Sequence, residues 1–571
     1  MPQSTLSSKL LFDLMKKEIP AEEMEKLFFH TKAELKEMKD GSLTIEITAD
    51  RLDMLSESGL SWALEGILGL SEGIPYAVRE EPLPSMAVRV DHSVAPLREN
   101  IEMAVAQAPS GDYVNQEMLE ELVRFQELLH ATIGRDRRHA SIGIYPLKEL
   151  KPPFTYAMEP LKSITFSPLP TDWDGPKEMD GPEFFERHPM AQKYASLGRV
   201  GDSALTLRDS KGAILSLPPV LNSARHGELK PGDTEVLIES TGTLGISTKQ
   251  LLGYMLLPFV ARGWSISPVP VRRKNRLDPA VESISLRKVL LANKLVSELL
   301  GISLTSEEVR KAILASRLGA EESGQGWEVI VPPWRPDILG AVDLVEEVAI
   351  ARGLESFTPE FSTPSTPGRA LASTRFFTRF LEVMVGMGYQ EMHTPILISQ
   401  ALAEGLCSKS DGKGIGASKA IPLTNPVSQE FGYTRPALLP GLVGALCHNT
   451  GEKYPQRLFE LGEVVAGDPS DEVGARTETH IALVDAGDGS GFARAAAIAE
   501  RLARVVGIVP TREPGEAVGA IPGRVASLKF AGEEFAILGE VHPSVLAEMK
   551  IQEPVSWVEV DLTLLWKLKG A

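Results

Sequence analysis

The spacing of apolar residues predicts a mixture of helices and strands at the start of the chain. Apolar positions recur at helical spacing in three stretches and alternate with polar ones in a fourth, which is typical of a half-buried strand. The predicted helices cover residues 10–19, 21–35 and 56–70, and the predicted strand covers residues 42–49. Either Ser56 or Ser58 suits the N-cap of the last helix. We therefore expect a small α+β domain over residues 1–80.

A larger α/β domain is predicted over residues 85–275. It contains a long amphipathic helix over 114–134, a series of short β-rich runs, and an apolar helix over 248–263. The segment 271–279 is basic and ends in proline, which is typical of a solvated linker.

The remaining pattern predicts two further domains. Residues 276–358 show helix, helix, strand and helix signals, over 285–301, 306–318, 326–334 and 341–354. A tract over 357–373 is rich in Pro, Ser and Thr, which suits an interdomain linker. Residues 370–571 then begin with a helix, a glycine stop and a strand, and we find no repeat of the solenoid or propeller kind.

Length and composition agree with several folded domains. The 571 residues correspond to about three to five domains. The 59 Lys and Arg against 77 Asp and Glu give a net charge of −18, which argues against indiscriminate binding to nucleic acid or anionic membrane. Only Cys407 and Cys447 are present, which is too few for a disulfide framework in a chain of this length. No apolar run reaches the roughly 20 residues that span a bilayer. We expect a cytoplasmic protein.

Common catalytic and phosphate-binding motifs are not found in the sequence. The glycine-containing loop 408–419 matches neither a P-loop nor a dinucleotide fingerprint, so we expect a flexible hairpin loop there. The sequence holds no HExxH and no GxSxG, and its ten histidines show no metal-ligand spacing.

One acidic group has the spacing of a cation site. Asp343, Glu346 and Glu347 share one face of a predicted helix, and Asp337 lies on the preceding turn. Four carboxylates suit Mg²⁺, which prefers oxygen ligands. Alternatively, these acids decorate the first turn of a helix, where the helix dipole favours negative charge.

A second group of polar residues follows two predicted strands. Small hydroxyls and one carboxylate there could position a water molecule and a polar substrate, or they could simply form turns. The residues are Ser216, Asn222, Ser223, Glu239, Thr241 and Thr243.

Two basic clusters could contact phosphate, although for each taken alone a solvated face is the better explanation. One comprises Arg135, Arg137 and Arg138, and the other Arg272, Arg273, Lys274 and Arg276.

Taken together, several segments resemble the β subunit of phenylalanyl-tRNA synthetase, of the shorter archaeal and eukaryotic type. The resemblance extends in order over nearly the whole chain. It is carried by ITADRLDMLSESGLSWALEGILG, RPDILGAVDLVEEVAIARG, PLTNPVSQEFGYTRPALLPGLV, PQRLFELGEVV and IPGRVASLKFAGEEFAILGEVHPSVL. The segment RFQELLHATIGRDRRHASIGIYPLKELKPPFTYAMEP is similar to the start of the family's editing module.

The resemblance implies a subunit that is active only with a partner. An α subunit would carry the aminoacylation site in an α₂β₂ assembly that uses ATP to attach phenylalanine to tRNA(Phe). The β chain would hydrolyse mischarged Tyr-tRNA(Phe) in residues 85–275. Its residues 370–571 would be a class II synthetase-like antiparallel-sheet domain without catalysis, because Phe459 and Glu460 lack the following Arg-x-Glu arrangement.

The resemblance also assigns residues. Asp337, Asp343, Glu346 and Glu347 fall on the family's magnesium positions, which favours Mg²⁺ over the helix-dipole alternative. The editing pocket is expected at Leu217, Ser223, Glu239 and Thr241, with Glu239 accepting the tyrosyl hydroxyl. The family commonly has Asp at the position of Glu239 and often an acid at that of Leu244.

These two departures leave other functions open. The chain could be a scaffold or tRNA-binding subunit that has lost editing. It could also be a free-standing hydrolase that edits mischarged tRNA without a partner.

Overall fold

The computed structural model describes residues 2–28, 30–74, 83, 86–171, 173–273, 276–278, 284–362, 367–407 and 420–569. The chain divides into two compact units, Met1–Phe361 and Ser362–Ala571. The expected hairpin loop 408–419 and Lys274 lie outside the described residues. No helix within the described ranges is both long and apolar enough to cross a bilayer.

The first unit opens with a three-stranded antiparallel sheet and three helices. The strands are Gln3–Ser7, Ala33–Lys39 and Ser42–Ile47, with the last one in the middle, and the helices are Ser8–Met15, Ala21–Phe28 and Glu57–Ile67. The predicted strand alternation is confirmed, since Leu43, Ile45 and Ile47 are buried. Ser56 is the N-cap of the third helix, because its side chain accepts a hydrogen bond from the backbone N–H of Gly59.

The same arrangement occurs a second time near the end of this unit. Its strands are Arg287–Ala292, Gly319–Ser323 and Gly326–Val331, again with the last in the middle, and its helices are Asn293–Leu300, Ser306–Ala315 and Ala341–Arg352. Each copy has an Arg-x-Asp sequence before its last helix, Arg51 with Asp53 and Arg335 with Asp337. The unit therefore contains an internal duplication, which differs from the solenoid and propeller repeats that the sequence excludes.

Two helices were predicted too long, and part of each predicted helix belongs to a strand instead. The helix expected over 21–35 ends at Phe28, and the one expected over 285–301 begins only at Asn293. Ala33–Lys39 and Arg287–Ala292 instead pair with the central strands of their sheets. Strand pairing overrides the local helical spacing in both places, with the next strand of a hairpin for Ala33–Lys39 and with a strand distant in sequence for Arg287–Ala292.

Two sheets and two long helices form the part between the copies. The first sheet is antiparallel, in the order Ser265–Pro268, Asn100–Gln107, Glu235–Gly242 and Ala140–Pro146. Helices Gln116–Ala131 and Gly245–Val260 pack on one of its faces. The other face shares a core with the second sheet, in which Tyr145 and Leu237 meet Tyr156 and Leu215.

The second sheet mixes parallel and antiparallel pairs. Its order is Leu221–Asn222, Ile214–Leu217, Ser203–Arg208, Phe154–Pro160, Val88–Val90, Val271–Arg273 and Arg276–Asp278, with Arg199–Val200 beside Ser203–Arg208. A smaller cluster comprises helices Gly181–Arg187 and Pro189–Gly198 with strands Thr165–Phe166 and Met179–Asp180. Because side chains alternate across a strand, Tyr145 and Glu239 both point between the two sheets.

The second unit is built on one seven-stranded sheet. Its order is Gln390–Glu391, Gln456–Gly467, Ala475–Ala486, Val555–Asp561, Glu533–Val541, Ala520–Phe530 and Thr511–Pro514. Only the first pair of strands is parallel.

Helices cover both faces of this sheet. One core contains side chains of Ala372–Gly386, Phe492–Val505 and Leu562–Lys569, and the other those of Leu439–His448 and Pro543–Glu548. Helix Gln400–Cys407 and strands Leu397–Ile398 and Tyr433–Thr434 complete the unit.

Candidate functional site

A cavity of about 270 Å³ opens between the two middle sheets. Its lining includes two of the four predicted pocket residues, Leu217 and Glu239. It also includes Ser216 and Asn222 from the polar group that the sequence indicated. Four further lining residues, Glu127, Arg137, Gly143 and Tyr145, were not expected in the pocket.

Among the described residues that line the cavity, Glu239 is the only fully buried acid, at 2 % exposed. The hydroxyl of Tyr145 is hydrogen-bonded to its Oε2 at 2.7 Å and to Ser216 Oγ at 2.9 Å. Burial raises the pKa of Glu239 to about 7, although the hydrogen bond from Tyr145 and the charge of Arg98 lower it. The carboxyl group is therefore poised to gain or lose a proton near neutral pH.

Thr241 and Ser223 lie outside the cavity lining. The hydroxyl of Thr241 accepts a hydrogen bond from Arg98 Nε at 3.2 Å and lies 3.2 Å from Ser141 Oγ. Arg98 also donates to the carbonyl oxygen of Thr241 at 2.7 Å. Thr241 thus holds a buried arginine behind Glu239. Ser223 is buried, and its backbone pairs with its neighbours.

Gly143 keeps space for the Tyr145 hydroxyl beside Glu239. Gly143 lies directly opposite Glu239 in the sheet register. A Cβ atom at this position would overlap the Tyr145 hydroxyl and crowd Glu239 Oε2. The sequence indicated only that Ser141, Gly143 and Tyr145 alternate along a strand and so share one face. It did not show that this strand pairs with the strand of Glu239.

Arg137 corrects the expectation of a solvated basic cluster. Its side chain is buried, and it donates to the carbonyl oxygens of Pro219 and Val220, both at 3.1 Å, and to Glu127 Oε1 at 2.9 Å. Arg135 and Arg138 are exposed. The turn adopts positive φ at Arg135, Asp136 and Arg137, which directs one arginine inward and leaves two outside.

The second basic cluster is partly exposed. Arg272 is exposed, and Arg273 donates to the carbonyl oxygen of Glu99 at 3.2 Å. Arg276 belongs to a short strand that pairs with Val271–Arg273.

The four predicted magnesium ligands lie in one region but have separate partners. Arg335 binds Asp337 through Nε and Nη2, at 2.9 and 2.7 Å, and its Nη2 lies 2.8 Å from Glu347 Oε1. Lys32 Nζ lies 3.0 Å from Glu346 Oε2. Asp343 accepts hydrogen bonds from the backbone N–H groups of Leu339 and Gly340, directly before its helix.

The oxygen donors of these four acids fit Mg²⁺. In the structure, however, the acids are paired with cations or backbone N–H groups of the chain itself. All four side chains offer carboxylate oxygens. In the described part of the chain they do not place three of these oxygens within 4.8 Å of one another. An ion bound here would therefore compete with Lys32 and Arg335 for the same carboxylates.

Glu460 and Arg435 neutralise each other in the second unit. Arg435 Nη1 lies 2.7 Å from Glu460 Oε1, and both side chains are buried. Glu460 also accepts hydrogen bonds from the N–H and hydroxyl of Thr394. Both charges are therefore satisfied within the chain.

Comparisons with known proteins agree with the resemblance in the sequence. Residues 358–562 match the family model of the phenylalanyl-tRNA synthetase β chain CLM domain, and residues 289–354 match that of the tRNA synthetase B5 domain. The phenylalanine–tRNA ligase β subunit of Korarchaeum cryptofilum is 30% identical over 95% of both chains. That of Pyrococcus furiosus is 30% identical over 99% of this chain and 100% of its own.

A solved structure supports the fold of the first unit. An N-terminal fragment of the phenylalanyl-tRNA synthetase β subunit from Pyrococcus horikoshii matches with a TM-score of 0.55 and 26% identity. The match covers 62% of this chain and all of the fragment. The chain therefore belongs to the archaeal-type phenylalanine–tRNA ligase β subunit family, and it is part of an aminoacyl-tRNA synthetase.

Proposed function

We propose that this chain supports the charging of tRNA(Phe) in a cytoplasmic α₂β₂ enzyme and hydrolyses mischarged Tyr-tRNA(Phe) in the cavity at Glu239. Phenylalanine and ATP would react on the α subunit. The mutual neutralisation of Arg435 and Glu460 supports a non-catalytic class II-like domain in residues 370–571. The other proposed domains are residues 1–80, 85–275 and 276–358.

The observation that carries the editing proposal is a buried carboxyl group in a cavity of amino-acid size. Ligand pockets usually begin at about 300 Å³, so a cavity of about 270 Å³ suits one side chain. A tyrosyl hydroxyl would displace the Tyr145 hydroxyl and donate to Glu239. Phenylalanine has no such donor, so the pocket would reject it.

Hydrolysis itself needs an oriented water molecule and no nucleophilic side chain. The water oxygen adds to the ester carbonyl carbon, and the bond to the ribose oxygen then breaks, which yields tyrosine and tRNA. Hydroxyls and backbone N–H groups around the cavity would stabilise the oxyanion. Ser216 and Leu217 line the cavity, and Ser216 is hydrogen-bonded to Tyr145. Thr241 and Ser223 would hold the surrounding strands.

Replacing Glu239 in the assembled enzyme tests the editing proposal. Glu239→Ala should lower the rate of Tyr-tRNA(Phe) hydrolysis at least tenfold and leave phenylalanine charging unchanged, because only the editing site loses its acceptor. Glu235→Gln is the matched control, since Glu235 begins the same strand and binds Gln107 at 2.8 Å outside the cavity. Unchanged hydrolysis in Glu239→Ala would disprove the role of Glu239.

A second candidate function is a scaffold that has lost editing. The hydrogen bond from Tyr145 to Glu239 favours it, because the acceptor is already satisfied within the chain. A wild-type complex that fails to hydrolyse Tyr-tRNA(Phe) would support the scaffold. Hydrolysis by this chain without α would instead indicate a free-standing editing enzyme.

We also propose Asp337, Asp343, Glu346 and Glu347 as the ligands of a structural Mg²⁺. Their oxygen-only chemistry supports this assignment. Lys32→Met removes the cation that competes for Glu346, so calorimetry should show Mg²⁺ binding about tenfold tighter than in wild type. Asp343→Asn with Glu347→Gln should weaken both Mg²⁺ binding and assembly. If Lys32→Met binds no Mg²⁺, the acids serve only as ion pairs and a helix cap.

A further inference from the structure

Four ionisable side chains meet on one face of the second unit's sheet, away from any residue assigned a role above. Glu478 and His480 are two positions apart on strand Ala475–Ala486, and Glu559 and Asp561 are two apart on the neighbouring strand Val555–Asp561. His480 lies directly opposite Asp561 in the register. Because side chains alternate along a strand, all four share a face.

The imidazole of His480 is held in one orientation by Glu559. Its Nδ1 lies 2.8 Å from Glu559 Oε1, and Glu559 itself accepts hydrogen bonds from the backbone N–H groups of Leu438 and Leu439. This carboxylate partner places the donor N–H on Nδ1 and the lone pair on Nε2. The same carboxylate–histidine pairing supports the histidine ligands of metal sites.

The other nitrogen of His480 is buried and makes no hydrogen bond to any described residue. His480 is 3 % exposed, and among the described residues its Nε2 has no hydrogen-bond partner. Glu478 Oε2 lies 3.7 Å from it, too far for a hydrogen bond. Ligand atoms of Glu478, His480 and Asp561 all lie within 4.8 Å of one another.

We infer that Glu478, His480 and Asp561 form a binding site for one divalent transition-metal ion of the zinc class. One imidazole nitrogen and two carboxylates suit such an ion, whereas Mg²⁺ prefers oxygen alone. In a tetrahedral site with bonds of about 2.0 Å, ligand atoms are about 3.3 Å apart. Small side-chain rotations reach this separation, and the fourth position is left for water.

The charges around His480 favour a cation at this position. Three carboxylates surround it, while Arg476 is half exposed and binds the opposite oxygen of Glu478 at 2.7 Å. Asp561 also accepts a hydrogen bond from Leu564 N, so the ion would link two strands to the C-terminal helix.

Calorimetry on the 571-residue chain tests this site. The protein is freed of metal and titrated with Zn²⁺ in saturating Mg²⁺, which occupies any oxygen-only site and so separates this test from the magnesium proposal. Wild type should bind one Zn²⁺ per chain. Glu478→Gln and Asp561→Asn should each weaken this binding at least tenfold, and His480→Gln should abolish it.

The control and the folding check use the same protein. His393→Gln should bind as wild type does, because His393 is exposed and lies 3.6 Å from a single acid, Glu391. Glu478 lies at the edge of the cluster, so Glu478→Gln should fold even if His480→Gln does not. Co²⁺ in place of Zn²⁺ should give a visible absorption band that Glu478→Gln alters. Failure of wild type to bind Zn²⁺, or unchanged binding in Glu478→Gln, would overturn the inference.

Discussion

Glu239 links the chemistry of the cavity to the stability of the first unit. Its pKa rises from 4.5 to about 7 on folding, chiefly through burial. The folded state therefore binds the proton more tightly than the unfolded state. The resulting stabilisation is fully present below pH 4.5 and is lost as the pH rises through about 7.

The variant Glu239→Gln should remove this pH dependence. At about 1.4 kcal/mol per pKa unit, the ionised carboxylate costs roughly 3 kcal/mol of unfolding free energy above pH 7. Urea unfolding of wild type and Glu239→Gln should show a stability difference that changes by this amount between pH 4.5 and pH 8. A constant difference would show that Glu239 titrates normally.

Gly143→Ala tests the cavity without changing any charge. The added Cβ would overlap the hydroxyl of Tyr145 and crowd Glu239, so we expect about 1–3 kcal/mol of destabilisation and at least tenfold slower hydrolysis of Tyr-tRNA(Phe). Gly386→Ala is the control, because a Cβ there meets open space. Equal unfolding free energies for wild type and Gly143→Ala would mean that the strand moves to admit the methyl group.

The two duplicated copies contact each other through aromatic side chains. Trp62 and Trp334 meet edge to face with ring centroids 5.5 Å apart, and Arg317 lies 3.9 Å from the Trp62 ring centroid. Trp62 lies within the last helix of the first copy, Glu57–Ile67, and Trp334 precedes the last helix of the second copy, Ala341–Arg352. This contact connects two elements that are far apart in sequence.

A double-mutant cycle on these tryptophans measures that contact. Trp62→Leu and Trp334→Leu should each destabilise the first unit, and their effects should fall short of additivity by about 0.5–1.5 kcal/mol in urea unfolding. Trp62→Leu with Trp173→Leu should be additive, because Trp173 belongs to another packing cluster. Additivity in both pairs would show that the copies are coupled by other contacts.

Sequence patterns predicted helices and strands better than they predicted which side chains contact one another. Local spacing found the strand at Ser42–Ile47 and placed Asp343, Glu346 and Glu347 on one helix face. It did not show that Lys32, more than 300 residues away, would bind Glu346. Likewise, the spacing of the ten histidines did not reveal the cluster at His480, because two of the acids around it, Glu559 and Asp561, lie on another strand. Register between strands decides such sites, and one sequence alone does not reveal it.

Because the net charge of the chain is −18, any binding of tRNA by this chain requires local clusters of basic side chains. Arg135 and Arg138 are exposed on the turn whose middle arginine lines the cavity. If the acceptor end of tRNA binds in that cavity, as we propose, these two side chains lie beside its phosphates. Arg272 and Arg273 form a second basic surface on another strand.

Arg135→Ala with Arg138→Ala should therefore weaken the binding of tRNA(Phe) by the assembled enzyme. Each lost phosphate contact should reduce the slope of log affinity against log salt by about 1, so the pair should reduce it by about 2. Arg187→Ala is the control, because this exposed arginine is already paired with Glu183. Fluorescence titration at several salt concentrations measures the slopes. If the slope is unchanged in the double variant and also in Arg272→Ala, the phosphate contacts lie on the α subunit. The acidic β chain would then contact only the acceptor end of the tRNA.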